Sequence, residues 1–232
     1  MRKIIEGALI IFDKYYIYTE DMNPRGKEMR DILKNFIVIE GLAGSGTTTQ
    51  LKAIEKALLS DGQKVKVTCE PTKRPIGQLV RRVLSGEFVT TSRSLALLYS
   101  ADREDHLYNT EESITKWLEE GNIVISDRYF FSSLAYQGID VGYKNVAKMN
   151  QYPLPEVLIY IDVSPSICME RIEKRGSDKE IFEKKSFLDQ VACGYEQSIN
   201  ELDTRVKLIR IDGTQSMDDI THELLYKLGL NA

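Results

Sequence analysis

The sequence predicts a three-layer α/β sandwich, in which one five-stranded parallel sheet carries helices on both faces. Five short apolar segments alternate with segments of helical periodicity along the 232 residues. This alternation is typical of parallel strands joined by crossover helices. A hydrophobic content of 42% in a chain of this length is enough for one substantial core. Because the strands are parallel, ligands are expected at their carboxyl ends.

The predicted strands are short apolar or alternating runs that end near glycine, proline or acidic residues. They lie at 35–40, 64–68, 123–127, 157–163 and 206–211. The helices are recognised by apolar residues at helical spacing and by capping residues, such as Ser164 followed by Pro165, and Ser216. They are expected at 47–61, 76–84, 94–108, 110–120, 167–175 and 186–202, with a final helix after Ser216.

A glycine-rich segment follows the first strand and opens the first helix. Its residues are Gly41, Leu42, Ala43, Gly44, Ser45, Gly46, Thr47, Thr48 and Thr49. Successive N–H groups in such a turn form an anion site with the positive end of the helix dipole. The segment is therefore predicted to be a P-loop that binds nucleotide phosphates, and the fold to be of the P-loop NTPase type. In the usual pattern, G-x-x-x-x-G-K-[ST], the lysine position is Thr47 here, while the metal-binding hydroxyl is present as Thr48. The alternative is a βα turn that binds nothing.

Composition excludes several classes of function. A net charge of −4 without a basic stripe disfavours binding to a nucleic-acid polymer. No apolar run approaches the roughly 20 residues of a membrane span, so we expect no membrane partner. The three cysteines are scattered, which favours reduced thiols and a cytoplasmic location. The sequence contains only two histidines, His106 and His222, which disfavours a catalytic histidine triad and a multi-histidine metal site.

Asp127 ends the third predicted strand, where a P-loop fold places the acid that holds Mg²⁺ directly or through water. Thr48 and Asp127 are therefore the predicted metal ligands. Arg128 follows, and a guanidinium there can bind a phosphate with two hydrogen bonds across from the P-loop. The alternative is a structural Asp-Arg pair at a strand end.

Three segments resemble thymidylate kinases. The segment 127–138, DRYFFSSLAYQG, is similar to that family's D-R-Y-x-x-S-S-L-A-Y-Q-G signature, and 97–103, LLYSADR, is similar to its L-L-[FY]-x-A-[DN]-R helix. Glu70-Pro71, followed by Pro75-Ile76-Gly77 and Arg81, resembles the family's E-P loop and the helix after it. The resemblance covers roughly residues 35–215 in the right order.

The resemblance implies a dTMP kinase that uses ATP as phosphate donor with Mg²⁺ and acts on small-molecule nucleotides. It implies that Tyr99 stacks on the thymine ring and that Arg103 donates to a base carbonyl. It further implies that Ser133 and Gln137 read the base edge and that Tyr136 crowds the ribose 2′ position. Arg128 and the Glu70 loop would hold the acceptor phosphate. Arg81 and Ser132 complete the implied substrate-binding residues.

The resemblance also implies a lid at about 175–185 that closes over ATP, and a homodimer formed through helices flanking the sheet. Arg171, Arg175 and Lys179 are the candidates for the cation that the P-loop lacks, with Lys179 first, and Arg175 and Lys179 join Asp127 and Arg128 as the predicted catalytic residues.

Two departures from the family pattern keep other functions open. Thr47 supplies no charge, and Ala43 stands where many members have an aspartate directed at the sugar 3′-hydroxyl. The alternatives are a nucleotide-binding module without catalysis and a kinase for another deoxynucleotide or a deoxynucleoside. Residues 34–232 are expected to form the kinase-like domain. Residues 1–33 are expected to be an N-terminal extension of unknown role or the product of an upstream start, with Met22 and Met29 as possible alternative starts.

Overall fold

The computed structural model describes residues 30–175 and 185–230 of the chain. Five parallel strands form one sheet in the order β2-β3-β1-β4-β5, with helices around it, which confirms the predicted fold class. The strands are β1 (Ile32–Gly41), β2 (Val65–Cys69), β3 (Ile123–Asp127), β4 (Leu154–Asp162) and β5 (Lys207–Asp212). Among the described residues, no helix is long and apolar enough to cross a membrane.

Nine helices lie within the described residues. The first five are α1 (Thr47–Ser60), α2 (Pro75–Leu84), α3 (Ser92–Tyr108), α4 (Ile114–Glu119) and α5 (Phe130–Val141). The others are α6 (Tyr143–Met149), α7 (Pro165–Arg175), α8 (Lys185–Asn200) and α9 (Met217–Leu228). No helix was predicted for 130–149, where the structure has α5 and α6.

The central strand β1 is buried on both of its faces. In β1 every residue from Phe36 to Gly41 is buried, as expected for a central strand of a parallel sheet. Before them, Asn35 adopts a left-handed backbone with φ 60°, and the register with β4 shifts between Leu33 and Ile37. The strand therefore begins earlier than the predicted Asn35, with an irregularity at that residue.

Capping side chains explain several helix boundaries. Ser216 accepts a hydrogen bond from the Asp219 N–H and starts α9, as predicted. The predicted helix at 110–120 begins only at Ile114, because Ser113 is its N-cap and accepts from the Lys116 N–H. Helix α3 begins two residues earlier than expected, because Thr91 caps it through the Ser94 N–H.

Topology brings the chemistry to one edge of the sheet. The register aligns Ile39 of β1 with Asp127 of β3, and Asp127 with Cys69 of β2. The P-loop follows β1, Arg128 follows β3, and the Glu70-Pro71-Thr72 loop follows β2. These three loops therefore meet at the carboxyl ends of neighbouring strands.

Candidate active site

The P-loop backbone has the shape of a phosphate cradle. Gly44 and Gly46 have φ of 86° and 102°, conformations that L side chains rarely adopt. Gly41 must also lack a side chain, because a β carbon there would lie 2.5 Å from Ser45 Oγ. Helix α1 begins at Thr47 with no side chain of the described residues capping it. Its first N–H groups are thus left for an anion.

Thr48 and Asp127 come together beside the P-loop. Thr48 Oγ1 donates a hydrogen bond of 2.6 Å to Asp127 Oδ2. The other oxygen, Asp127 Oδ1, is buried and has no hydrogen-bond partner among the described residues. Mg²⁺ prefers a carboxylate, a hydroxyl and phosphate oxygens, with water completing the shell. This unsatisfied oxygen next to a hydroxyl fits such an ion. The described residues hold no cluster of three histidine, cysteine, aspartate or glutamate side chains that could hold a metal ion.

Arg128 is fixed by contacts at the end of β1. Its Nη1 donates to the Gly41 carbonyl at 3.1 Å, to Ser132 Oγ at 3.0 Å and to Tyr195 Oη at 3.1 Å. Its backbone has φ 76°, a left-handed conformation that is costly for a residue with a side chain. Strain at this position is consistent with a functional requirement for the direction of the side chain.

Glu40 is the acid beneath Arg128. It is buried, and its carboxylate accepts hydrogen bonds from the N–H groups of Tyr129 and Ser132 and from the hydroxyls of Ser132 and Tyr195. Burial raises the pKa of this carboxyl, while the Arg128 charge and these hydrogen bonds oppose the rise. Ser132 therefore touches both Glu40 and Arg128 and helps to orient the arginine.

Tyr136 joins helix α5 to the P-loop. Its hydroxyl accepts a hydrogen bond of 3.2 Å from the Ala43 N–H. The Arg128 guanidinium lies 5.6 Å from the centre of its ring. Burial raises the pKa of the Tyr136 hydroxyl, and the Arg128 charge opposes that rise.

A second buried cluster surrounds Arg103 on α3. Arg103 is 1% exposed and donates to Glu70 Oε2 from Nε at 2.8 Å and from Nη2 at 2.6 Å. Nη2 also donates to Ser133 Oγ at 3.1 Å, and Nη1 donates to Asn150 Oδ1. Ser133 and Gln137 are buried on α5, which packs against α3.

The loop after β2 is held from two sides. Asp102 accepts from the Thr72 N–H at 2.7 Å and from Thr72 Oγ1 at 2.6 Å. Arg81 on α2 donates to the carbonyls of Pro71 and Thr72. Burial raises the pKa of Asp102, and the two bonds from Thr72 oppose that rise. The Glu70 side chain faces Arg103. The groups near this loop that remain to bind a phosphate are therefore the Arg81 guanidinium on α2 and the loop backbone.

Comparison with known proteins decides the family. The model of the thymidylate kinase family matches residues 39–224. The chain belongs to the thymidylate kinase family. It is 40% identical to a putative thymidylate kinase of Treponema pallidum over 202 residues, which cover 85% of this chain and 96% of that protein. It is also 40% identical to a probable thymidylate kinase of Methanococcus aeolicus over 204 residues, 84% of this chain and 96% of that one. It is 34% identical to a thymidylate kinase of Staphylococcus haemolyticus over 204 residues, 84% and 97% of the two chains.

In this family member, the structure brings the P-loop, Asp127 and Arg128 to the same sheet edge. Lys179 lies outside the described residues, and helix α7 ends at Arg175. Arg171 is described: it donates from Nη1 to the Ser45 carbonyl at 3.4 Å and from Nη2 to the Gly213 carbonyl at 2.9 Å. Arg171 therefore contacts the P-loop directly.

The sequence did not predict the residues that hold the site residues in place through hydrogen bonds. They are Glu40, Asp102, His106, Asn150 and Tyr195. Glu40 carried a signal, since an acid that directly follows four apolar strand residues must be paired if it is buried, and Asp102 lies in the segment 97–103 that resembles the family's helix. The others lie on helices or loops where a polar residue is unremarkable.

Proposed function

We propose that this chain is a thymidylate kinase that transfers the γ-phosphate of ATP to dTMP and releases ADP and dTDP. The proposal is carried by the convergence of the P-loop, the Thr48–Asp127 pair and Arg128 at one sheet edge, in a chain that belongs to the family. Phosphoryl transfer needs positioning and electrostatic stabilisation more than covalent chemistry, and these groups supply both.

The donor side is the P-loop, residues 41–49. Its N–H groups and the start of α1 would bind the ATP phosphates. Thr48 and Asp127 would hold Mg²⁺, which, when bound, neutralises charge on the β and γ phosphates. The hydrogen bond between the two side chains supports this assignment, because it holds their oxygens close together.

The acceptor side lies across β3. Arg128 would bind the dTMP phosphate, with Ser132 orienting it, and Arg81 would stand at the far side of that phosphate together with the Glu70 loop. Tyr99 would stack on the base, Arg103, Ser133 and Gln137 would read its edge, and Tyr136 would lie against the sugar. Arg128 and Tyr136 also contact the P-loop, so these two residues would line both the acceptor site and the donor site.

The cation that replaces the P-loop lysine would come from the lid, with Lys179 first and Arg175 second. Arg171 supports this assignment, because it lies on the helix that leads into the lid and already contacts the Ser45 carbonyl. A charge on that helix is thus close enough to act on phosphates bound in the loop.

The finer features of the family are proposed for this chain as well. Residues 34–232 would form the kinase domain and act in the cytoplasm as a homodimer, and residues 1–33 would be an extension of it. The exposure of Leu97 and Tyr108 on α3 supports a dimer through that helix, since large apolar side chains are more often covered. Sedimentation of the full chain would show the dimer, and a monomer at micromolar concentration would contradict it.

A coupled assay of ADP release tests the function. ATP and Mg²⁺ are supplied with dTMP, dUMP, dGMP or AMP, and dTMP is expected to be the best acceptor. Asp127→Asn should lower kcat at least about 100-fold, because it removes the carboxylate at the metal position. Asp189→Asn on the exposed face of α8 is the matched control and should change nothing.

The outcomes separate the candidate functions. Absence of turnover with every monophosphate would refute the kinase proposal. Saturation-transfer NMR that still detected bound nucleotide would then indicate a binding module without catalysis. Turnover with a different deoxynucleotide would retain the enzyme and change its acceptor.

A further inference from the structure

The guanidinium of Arg103 is held by hydrogen bonds to three buried side chains. A guanidinium carries five N–H donors. Four of them are used: one from Nε and one from Nη2 to Glu70, one from Nη2 to Ser133, and one from Nη1 to Asn150. Among the described residues, one Nη1 hydrogen is left. This N–H can only donate, so it can form a hydrogen bond to a carbonyl oxygen but not to an amino group.

Glu70 is itself fixed by a histidine. His106 Nδ1 lies 3.0 Å from Glu70 Oε1, and His106 Nε2 lies 2.6 Å from Thr68 Oγ1. A carboxylate only accepts hydrogen bonds, so His106 Nδ1 carries a proton and donates a hydrogen bond to Glu70. Both Glu70 and His106 are buried, at 5% and 2% exposure. The carboxylate therefore cannot turn without breaking the bond to His106.

Asn150 is fixed in the same manner. It follows α6 and is 1% exposed. Its Nδ2 donates to the Val146 carbonyl at 2.8 Å, so its oxygen is the atom directed at Arg103. Two residues from separate parts of the chain thus determine the plane of one guanidinium.

We propose that His106 and Asn150 are positioning residues for Arg103, His106 through Glu70 and Asn150 directly, and that they set the preference for thymine over cytosine. Thymine has a carbonyl where cytosine has an amino group. A donor held in one direction by buried partners is left unpaired by cytosine, and an unpaired buried donor is what gives a site high selectivity. The proposal rests on the proposed function, in which Arg103 reads the base.

Three replacements of His106 separate its two hydrogen bonds. Asparagine retains a donor near the Nδ1 position, glutamine reaches toward the Nε2 position, and leucine retains only bulk. We expect the ratio of kcat/KM for dTMP over dCMP to fall about tenfold in His106→Gln and His106→Leu and to be largely retained in His106→Asn. The ratio for dTMP over dUMP and the KM for ATP should not change, because uracil has the same carbonyl and ATP lies elsewhere. His222→Gln, at the exposed histidine of α9, is the matched control.

Asn150 gives an independent test. Asn150→Ala removes the acceptor and should lower the dTMP to dCMP ratio by a similar factor, whereas Asn150→Asp retains an oxygen but loses the donor to the Val146 carbonyl and should lower the ratio less than alanine does. Asn145→Ala, at an exposed position of α6, is the control. If His106→Leu does not fold, the glutamine variant and the Asn150 pair decide the question.

Unchanged dTMP to dCMP ratios in His106→Gln and Asn150→Ala would overturn the proposal, as would an equal loss of kcat with every acceptor. Lack of dTMP turnover by the natural sequence would instead overturn the proposed function. In that case the ratio of the dissociation constants for dTMP and dCMP, measured by calorimetry on the same variants, decides the inference by the same criterion.

Discussion

Replacing Gly77 with alanine should displace the loop that follows β2. Gly77 lies in the first turn of α2, where a β carbon would come 2.6 Å from both the backbone nitrogen and Oγ1 of Thr72. Distances this short do not occur between real atoms of these types, and backbone cannot move aside as a flexible side chain can. The loop or the helix must therefore shift.

The cost follows from what the shift breaks. Thr72 donates two hydrogen bonds to the buried Asp102 carboxylate. A hydrogen bond to a charged group contributes about 1.5–3 kcal/mol, and overpacking costs about 1–3 kcal/mol. Alanine regains at most about 1 kcal/mol of helix propensity. With one of the two bonds weakened, we expect Gly77→Ala to lower the free energy of unfolding by about 2–3 kcal/mol. KM for dTMP should also rise, because Arg81 is bonded to the same loop.

Gly138 on α5 is the matched control. A β carbon there would lie 3.5 Å from Tyr143 Cα, an ordinary contact, so Gly138→Ala should stabilise the protein by up to about 1 kcal/mol. Both variants are compared with the natural sequence by equilibrium urea unfolding, followed by a coupled assay with varied dTMP. The reasoning is refuted if Gly77→Ala is as stable as the natural sequence, or if the two variants change stability in the same direction.

Three further predictions concern the P-loop, the core and the thiols. Thr47→Lys should be tolerated and should lower KM for ATP, because lysine is the residue that the usual P-loop pattern has at this position and its charge would act on the phosphates; a large fall in kcat would show a loop shaped around threonine. Tyr195→Phe should cost about 1–2 kcal/mol in urea unfolding, because its hydroxyl bonds Glu40 and Arg128, whereas Tyr226→Phe, at an exposed ring, should cost nothing. Iodoacetamide should modify Cys193 first, Cys69 later and Cys168 last by mass spectrometry. This order is expected because Cys193 is exposed, Cys168 is buried, and burial raises the pKa of the Cys69 thiol. Faster modification of Cys69 than of Cys193 would contradict the predicted order.

Local patterns were sufficient to predict the sheet and most helices. The inner strands of a parallel sheet are buried on both faces and therefore appear as apolar runs, as 36–39 and 123–125 do, whereas the edge strands β2 and β5 are partly exposed. The P-loop and the Asp127–Arg128 pair were also predictable, because each is a short segment whose spacing along the chain fixes its geometry.

The supporting contacts were not predictable, because they join residues that are distant in sequence. Tyr195 bonds Glu40 across 155 positions, and Asn150 bonds Arg103 across 47. A tyrosine on an amphipathic helix or an asparagine after one has many possible partners, and only the packing of α5 against α3 and α8 selects these. The position of Arg171 is a similar case, since the sequence indicated a charged helix end but not its contact with Ser45.

The P-loop lacks its usual lysine, but positively charged side chains from other elements lie against the loop. Arg128 contacts the P-loop carbonyl at Gly41, and Arg171 contacts it at Ser45, so two guanidinium groups from different elements lie against the loop. Arg128 is opposed by the Glu40 carboxylate, whereas the described contacts of Arg171 are both to backbone carbonyls. Charge that is not neutralised by a neighbouring acid acts further, and partial burial reduces its screening by salt. We therefore expect Arg171 to support phosphate binding on the donor side, in addition to the proposed replacement cation Lys179.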